Sequence, residues 1–148
     1  MNNRNRVFTY ITQSDQLLVF DHVDYPDAGI QVPGGTIEEN ENPQDAALRE
    51  AEEETGIETY CDISLLANLS IDMRPFGKDE KLDAWFFHLR TNEKSGERWR
   101  HAETSPSGGG TEPIWFELYW VDLFSEVRLI AADGSQLDVL RAQVKKVS

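Results

Sequence analysis

The segment GTIEENENPQDAALREAEEETGI, residues 35–57, decides how the rest of the chain is read. Asn42 has the side chain of a helix N-cap, Pro43 fits the first helical position, Asp45 falls in the first turn, and Gly56 stands where a helix stops. These signals predict a helix between Asn42 and Gly56. At about 100° per residue, Glu50, Glu53 and Glu54 fall within one third of its circumference, because they form i,i+3 and i,i+4 pairs. Three carboxylates share a face, while Ala47, Leu48 and Ala51 lie on an adjoining face suited to packing on the protein body. Each like-charge pair costs roughly 0.2–0.5 kcal/mol on an exposed helix. That is too little to separate a solvated acidic face from a site that holds cations. Hard divalent ions such as Mg²⁺ take oxygen ligands and bind through a few carboxylates plus waters and substrate phosphates, which this face could supply. Arg49, four residues before Glu53, could orient it.

Working outward, Pro33-Gly34-Gly35 removes a backbone donor and permits positive φ, so it is expected to end a short strand-like run, Ile30-Gln31-Val32. Upstream, residues 6–12 and 16–22 are β-branched and aromatic runs separated by Gln13-Ser14-Asp15, the pattern of a hairpin. Downstream, 61–72 and 82–90 read as strands, with 96–102 expected to pair back onto 82–90 across a turn at Lys94–Gly96. Residues 103–112 (ETSPSGGGTE) are the one low-complexity stretch and predict a surface loop. Residues 114–121 read as a strand, and Leu137, Leu140 and Val144 give 135–146 helical spacing. Trp85, Phe86, Phe87, Trp115, Phe116 and Trp120 are expected mostly in the core, and Cys61 as a small buried hydrophobe.

The chain of 148 residues fits a single domain, 1–148, with enough length to bury its own core. It carries 14 basic and 27 acidic residues, a net charge of −13, which argues against general affinity for nucleic acid or anionic membranes. Nine of the acids lie between Gly35 and Glu58 against the single base Arg49, so 24 residues hold −8 and the other 124 only −5. One cysteine excludes an internal disulfide framework, and no long apolar run suggests a leader or a membrane span. The expected setting is cytoplasmic. Lys94, Arg98, Arg100 and His101 surround Trp99 as a basic cluster that could hold a phosphate while the indole stacks on a base.

Residues 35–57 resemble the Nudix box of the Nudix hydrolase superfamily. Gly35, Glu41, Arg49, Glu50, Glu53, Glu54 and Gly56 fill its seven fixed positions, with Ala51 and Ile57 in the aliphatic ones. From ordinary residue frequencies, such a match arises by chance at about one start in 10⁷ to 10⁸. The resemblance implies an α/β fold, the Nudix α/β/α sandwich with a mixed β-sheet and a catalytic loop-helix-loop at 35–57. It implies hydrolysis of a nucleoside diphosphate linked to another moiety, by water attacking phosphorus with Mg²⁺ or Mn²⁺ bound. Carried over position by position, Glu50, Glu53 and Glu54 would be catalytic and would ligate metal together with the Gly34 carbonyl. Gly35, Glu41, Arg49 and Gly56 would support them. The proton acceptor varies within the superfamily and can lie outside the box, where Glu112 and Glu117 are candidates; Arg98, Trp99 and Arg100 are candidates for binding substrate. The implied partner is a small nucleotide or pyrophosphate compound, and a homodimer is compatible with the resemblance.

The resemblance does not select a substrate. The array of NADH pyrophosphatases and the upstream signature of coenzyme A hydrolases are absent. Pro75 stands 18 residues past Ile57, further than the proline of ADP-ribose pyrophosphatases, and no tyrosine occurs between Cys61 and Ile114 to match dinucleoside polyphosphate hydrolases. A nucleoside triphosphate, a nucleotide sugar and a capped RNA end stay open. Two alternatives stand beside the hydrolase: a catalytically silent Nudix-fold nucleotide-binding or sensor module, against which the intact glutamates count, and an acidic interaction domain without a ligand.

Overall fold

In a computed structural model that describes residues 1–103 and 112–147, with side chains to 145, the chain forms a mixed sheet between two helices. The strands are β1 (Asn2–Gln13), β2 (Gln16–His22), β3 (Gly34–Thr36), β4 (Asp62–Asp72), β5 (Glu80–Arg90), β6 (Arg98–Glu103) and β7 (Ile114–Asp122); the helices are α1 (Pro43–Thr55) and α2 (Leu137–Val147). Strand order is β4-β5-β1-β2-β7-β6, and β3 pairs with β1. Among the described residues only β1 and β5 run parallel, in register from Asn2↔Glu80 to Thr12↔Arg90. Residues 7–12 of β1 are buried without alternation, as a central strand covered on both faces requires. Val7 and Ile11 join Ala46, Ala47 and Ala51 of α1 in one apolar cluster. Phe8 and Tyr10 join Leu137, Leu140 and Val144 of α2 in the other, where the Phe8 and Phe86 rings stack at 4.6 Å. This is the expected α/β/α sandwich.

The expected hairpin exists only at its tip. β1 and β2 pair at Thr12↔Leu17 and Gln13↔Gln16 and then part, because β2 pairs along its length with β7 while Arg6–Phe8 in the middle of β1 pair with β3. The sheet forks there. Ile30-Gln31-Val32 contributes only a bridge from Gln31 to Phe20, and the strand begins at Gly34, where the sequence suggested it would end. Neither Gly34 nor Gly35 has positive φ. Their missing side chains serve close approach instead, since a Cβ on Gly34 would overlap the Val7 carbonyl oxygen and one on Gly35 the Glu50 carboxylate.

Three other expectations are corrected. β6 pairs antiparallel with β7, not with β5, and runs on to Glu103, which the sequence reading assigned to the loop; the remainder of that loop, 104–111, lies outside the described residues. Trp115 is exposed, because alternation along β7 turns Phe116 and Leu118 to the α1-side cluster and Trp115 to the other face. Cys61, ahead of β4, is exposed as well. Phe86, Phe87 and Phe116 are buried, and Trp85 and Trp120 pack against the α1-side cluster.

Candidate active site

α1 has the predicted ends. Asn42 Oδ1 accepts the Gln44 N–H at 2.8 Å, and Gly56 closes the helix in the left-handed region at φ 80°. The buried alanines 46, 47 and 51 let the helix lie close to the sheet, which brings its carboxylate face against β3 and the end of β6. Glu50 and Glu54 are buried, at 3% and 5% exposure, and Glu53 is partly exposed.

Oxygens of Glu50, Glu53 and Glu103 all lie within 4.8 Å of one another. Glu54 stands outside this trio but against Glu50, and accepts the Gly34 N–H at 3.3 Å. A strand residue directs its N–H and C=O to the same edge, so the Gly34 carbonyl leaves β3 on the side where Glu54 lies. Arg49 organises the group. Its Nε and Nη2 donate to both oxygens of Glu41 at 2.8 and 2.9 Å, Nη1 to Glu50 at 2.9 Å, and Nη2 to the Thr36 carbonyl at 3.2 Å. Glu41 in turn accepts the Glu38 N–H at 3.0 Å. Glu41 and Arg49 thus fix Glu50 relative to β3 by charge-assisted bonds, the way outer partners orient metal-binding carboxylates.

The cluster carries more negative charge than its surroundings satisfy. Burial, then repulsion from Glu50 and Glu103, pushes the Glu54 carboxyl well above the usual range. Burial also raises Glu50 against the pull of Arg49, and raises Glu103 to about 7 with help from Glu50 and Glu53. Arg49 cannot offset four facing carboxylates while it also holds Glu41. A hard divalent cation fits this all-oxygen donor set and would relieve the repulsion.

Sequence reasoning missed Glu103. Its signal was the period-two alternation of RWRHAE: Trp99, His101 and Glu103 face α1, where Trp99 Nε1 donates to the Thr55 carbonyl at 3.0 Å and the His101 ring packs beside Gly56. The basic cluster is therefore split. Arg98 and Arg100 project from the opposite face of the sheet and pair with Glu117 at 2.7 and 3.4 Å, and Arg98 also lies 4.3 Å over the Tyr119 ring. This removes Arg98, Arg100 and Glu117 from the carboxylate cluster. Trp99 closes a helix end and packs on Trp120. Glu112 is exposed in the turn entering β7.

Two concavities bear on the site. One, of about 700 Å³, lies beside Glu53, His101 and Glu103. The other, of about 460 Å³, is on the α2 face and is lined by Arg6, Phe8, Met73, Phe76, Lys78 and Asp133 among others. Asp133 is buried; its Oδ2 accepts the Val32 N–H at 3.0 Å, and burial raises its carboxyl.

The NUDIX domain family profile matches residues 2–132, so the chain belongs to the Nudix family, the class of the Nudix hydrolases. Solved structures agree on the fold. A MutT NUDIX hydrolase from Burkholderia pseudomallei is 21% identical, with 95% of this chain and 99% of that one covered and a TM-score of 0.63. The NUDIX domain of Shewanella oneidensis NrtR, solved with ADP ribose, is 13% identical over 97% and 90% of the chains with a TM-score of 0.70. The Bacillus subtilis pyrophosphohydrolase BsRppH is 16% identical over 98% and 83% with a TM-score of 0.62. A comparison with curated proteins finds no significant sequence match. Among the described residues, no helix is long and apolar enough to cross a membrane.

Proposed function

We propose that this chain, as one domain, is a divalent-metal-dependent pyrophosphohydrolase. In this reading water attacks phosphorus in a nucleoside diphosphate linked to a further group, such as a nucleoside triphosphate or a nucleotide sugar. The observation that carries the proposal is the convergence within 4.8 Å of Glu50 and Glu53 on α1 with Glu103 on β6, at a segment, residues 35–57, whose seven box positions are all filled. Mg²⁺ or Mn²⁺, when bound, supplies charge neutralisation at the pyrophosphate and activation of water. Glu50, Glu53 and Glu103 would hold it, with Glu54 and the Gly34 carbonyl completing the oxygen set.

The chain's own work is positioning and proton acceptance. Arg49 and Glu41 hold Glu50 rigid, and Glu54 ties α1 to β3 through the Gly34 N–H. Glu103 replaces Glu112 and Glu117 as the carboxylate outside the box that faces the cleft, and is our candidate to accept the proton of the attacking water. The 460 Å³ pocket, with Phe8 and Phe76 in its wall, suits a nucleoside. A silent nucleotide-binding module would have no use for four facing carboxylates. The same proposal places the protein in the cytoplasm with small nucleotides as partners; the net charge of −13 speaks against general nucleic-acid binding.

A phosphate-release screen across nucleoside triphosphates, nucleotide sugars, ADP-ribose, NADH and dinucleoside polyphosphates, with Mg²⁺ or Mn²⁺, tests this. Turnover that requires metal and is lost in Glu53→Gln is expected. A fully folded protein with no turnover on any of these would remove the hydrolase reading.

A further inference from the structure

Nine arginines occur in the sequence, and eight of them pair with a carboxylate. Arg6 is the exception among the described residues. In a chain of net charge −13, where carboxylates outnumber cations nearly two to one, a guanidinium without a contact ion pair is unusual; Asp133 and Glu54 feel its charge from further off. Its placement is specific. Arg6 and Phe8 project from the same face of β1 into the 460 Å³ pocket, with the guanidinium carbon 4.8 Å over the Phe8 ring and Nε buried without a hydrogen-bond partner among the described residues. Along β3, Arg6 is the partner of Thr36 and Phe8 of Gly34. The Thr36 carbonyl is held by Arg49, and the Gly34 N–H by Glu54. Arg6 therefore stands at the three-residue strand that separates the pocket from the carboxylate cluster, with Lys78 as a second cation in the pocket wall.

A nucleotide spanning the two would have to carry its phosphates past β3. There a phosphate needs a donor not already held in a contact ion pair, and a guanidinium over an aromatic ring still has N–H groups to present. We infer that Arg6 binds the phosphate nearest the nucleoside and thereby sets which linkage lies over the carboxylates. The inference rests on the hydrolase reading for its substrate class, and its test does not need turnover. Arg6 acts here as a binding and specificity-determining residue, outside proton transfer.

The test is equilibrium binding of the α,β-methylene analogues of ADP, GDP, CDP and UDP, and of the four nucleosides, to wild type, Arg6→Met and Arg6→Lys. A charge-assisted phosphate contact predicts that Arg6→Met weakens the tightest analogue about 10- to 100-fold while its nucleoside binds as before. Arg6→Lys should recover part of the loss. If Arg6 only buttresses Phe8, nucleoside and nucleotide affinities fall together, and the inference is overturned. It is overturned equally if Arg6→Met changes neither, or if none of the four analogues binds wild type. Should Arg6→Met not fold, Arg6→Lys alone decides it: a weaker nucleotide with its nucleoside bound as before supports the guanidinium contact, and an unchanged nucleotide-to-nucleoside ratio of affinities overturns it. Wild type that binds an analogue but releases no phosphate from any triphosphate would leave Arg6 in place and remove the hydrolase reading instead.

Discussion

At Gly35 only a hydrogen fits, because the Glu50 carboxylate occupies the space a Cβ would take. Glu50 itself is held from behind by Arg49, and Arg49 by both oxygens of Glu41. Fixing the carboxylate thus takes residues outside the Glu50, Glu53 and Glu103 trio, and each can be tested alone. Glu41→Gln keeps the volume and removes the charge that binds Arg49 bidentately. Metal affinity and kcat are expected to fall about 10- to 100-fold with KM for the nucleotide little changed, as metal titration and steady-state kinetics would read. An unchanged kcat would reduce Glu41 to a surface charge. Glu54→Gln asks a different question. It removes one of the mutually repelling carboxylates, so Tm without metal should hold or rise, roughly 3 °C per kcal/mol relieved, while turnover is lost. Activity within tenfold of wild type would take Glu54 out of the mechanism.

α1 was legible because its signals are local: a cap, a proline, a glycine and a spacing, all within 15 residues. β6 was legible as a strand but not in its partner, since pairing with β7 rather than β5 depends on register across residues distant in sequence. The error propagated to the site. With β6 ended at residue 102 and a loop begun at 103, Glu103 disappeared among loop residues, and the four basic residues looked like one cluster. Lys94 lies before β6, and the three on the strand alternate: Arg98 and Arg100 go to one face and His101 to the other with Glu103. Replacing Arg98 and Arg100 together by Ala is therefore expected to leave kcat and KM within about twofold, because both charges are already committed to Glu117 on the far face. A severalfold rise in KM for the best substrate of the screen would show that phosphate reaches that face.

Across the whole molecule two buried groups pull stability in opposite directions with pH. His88, on β5, lies between Thr12 and Gln143, with Nε2 and Nδ1 each 2.7 Å from a partner, and joins β1 and β5 to α2. Burial, with Arg90 adding repulsion, lowers its pKa to about 4. The unfolded chain binds this proton more readily, so stability from a neutral His88 is present above about 6.5 and drains away as pH falls toward 4, on the order of 2–3 kcal/mol. Glu103 does the reverse. Its folded pKa of about 7 exceeds the unfolded one, so its contribution is present below about 4.5 and is lost as pH rises through 7. A divalent cation acts on the second effect alone, because it replaces the proton in the cluster but cannot reach His88 across the sheet. Ten times its Kd of metal adds about 1.4 kcal/mol, or roughly 2–6 °C in a domain of this size. The gain in Tm from 10 mM Mg²⁺ over EDTA should therefore be larger at pH 8 than at pH 6, where protons compete for the same carboxylates. His88→Gln should flatten the acid limb between pH 6.5 and 4 without altering that gain. Equal Mg²⁺ shifts at both pH values, measured by calorimetry on the same protein, would mean that the cation does not sit among Glu50, Glu53 and Glu103.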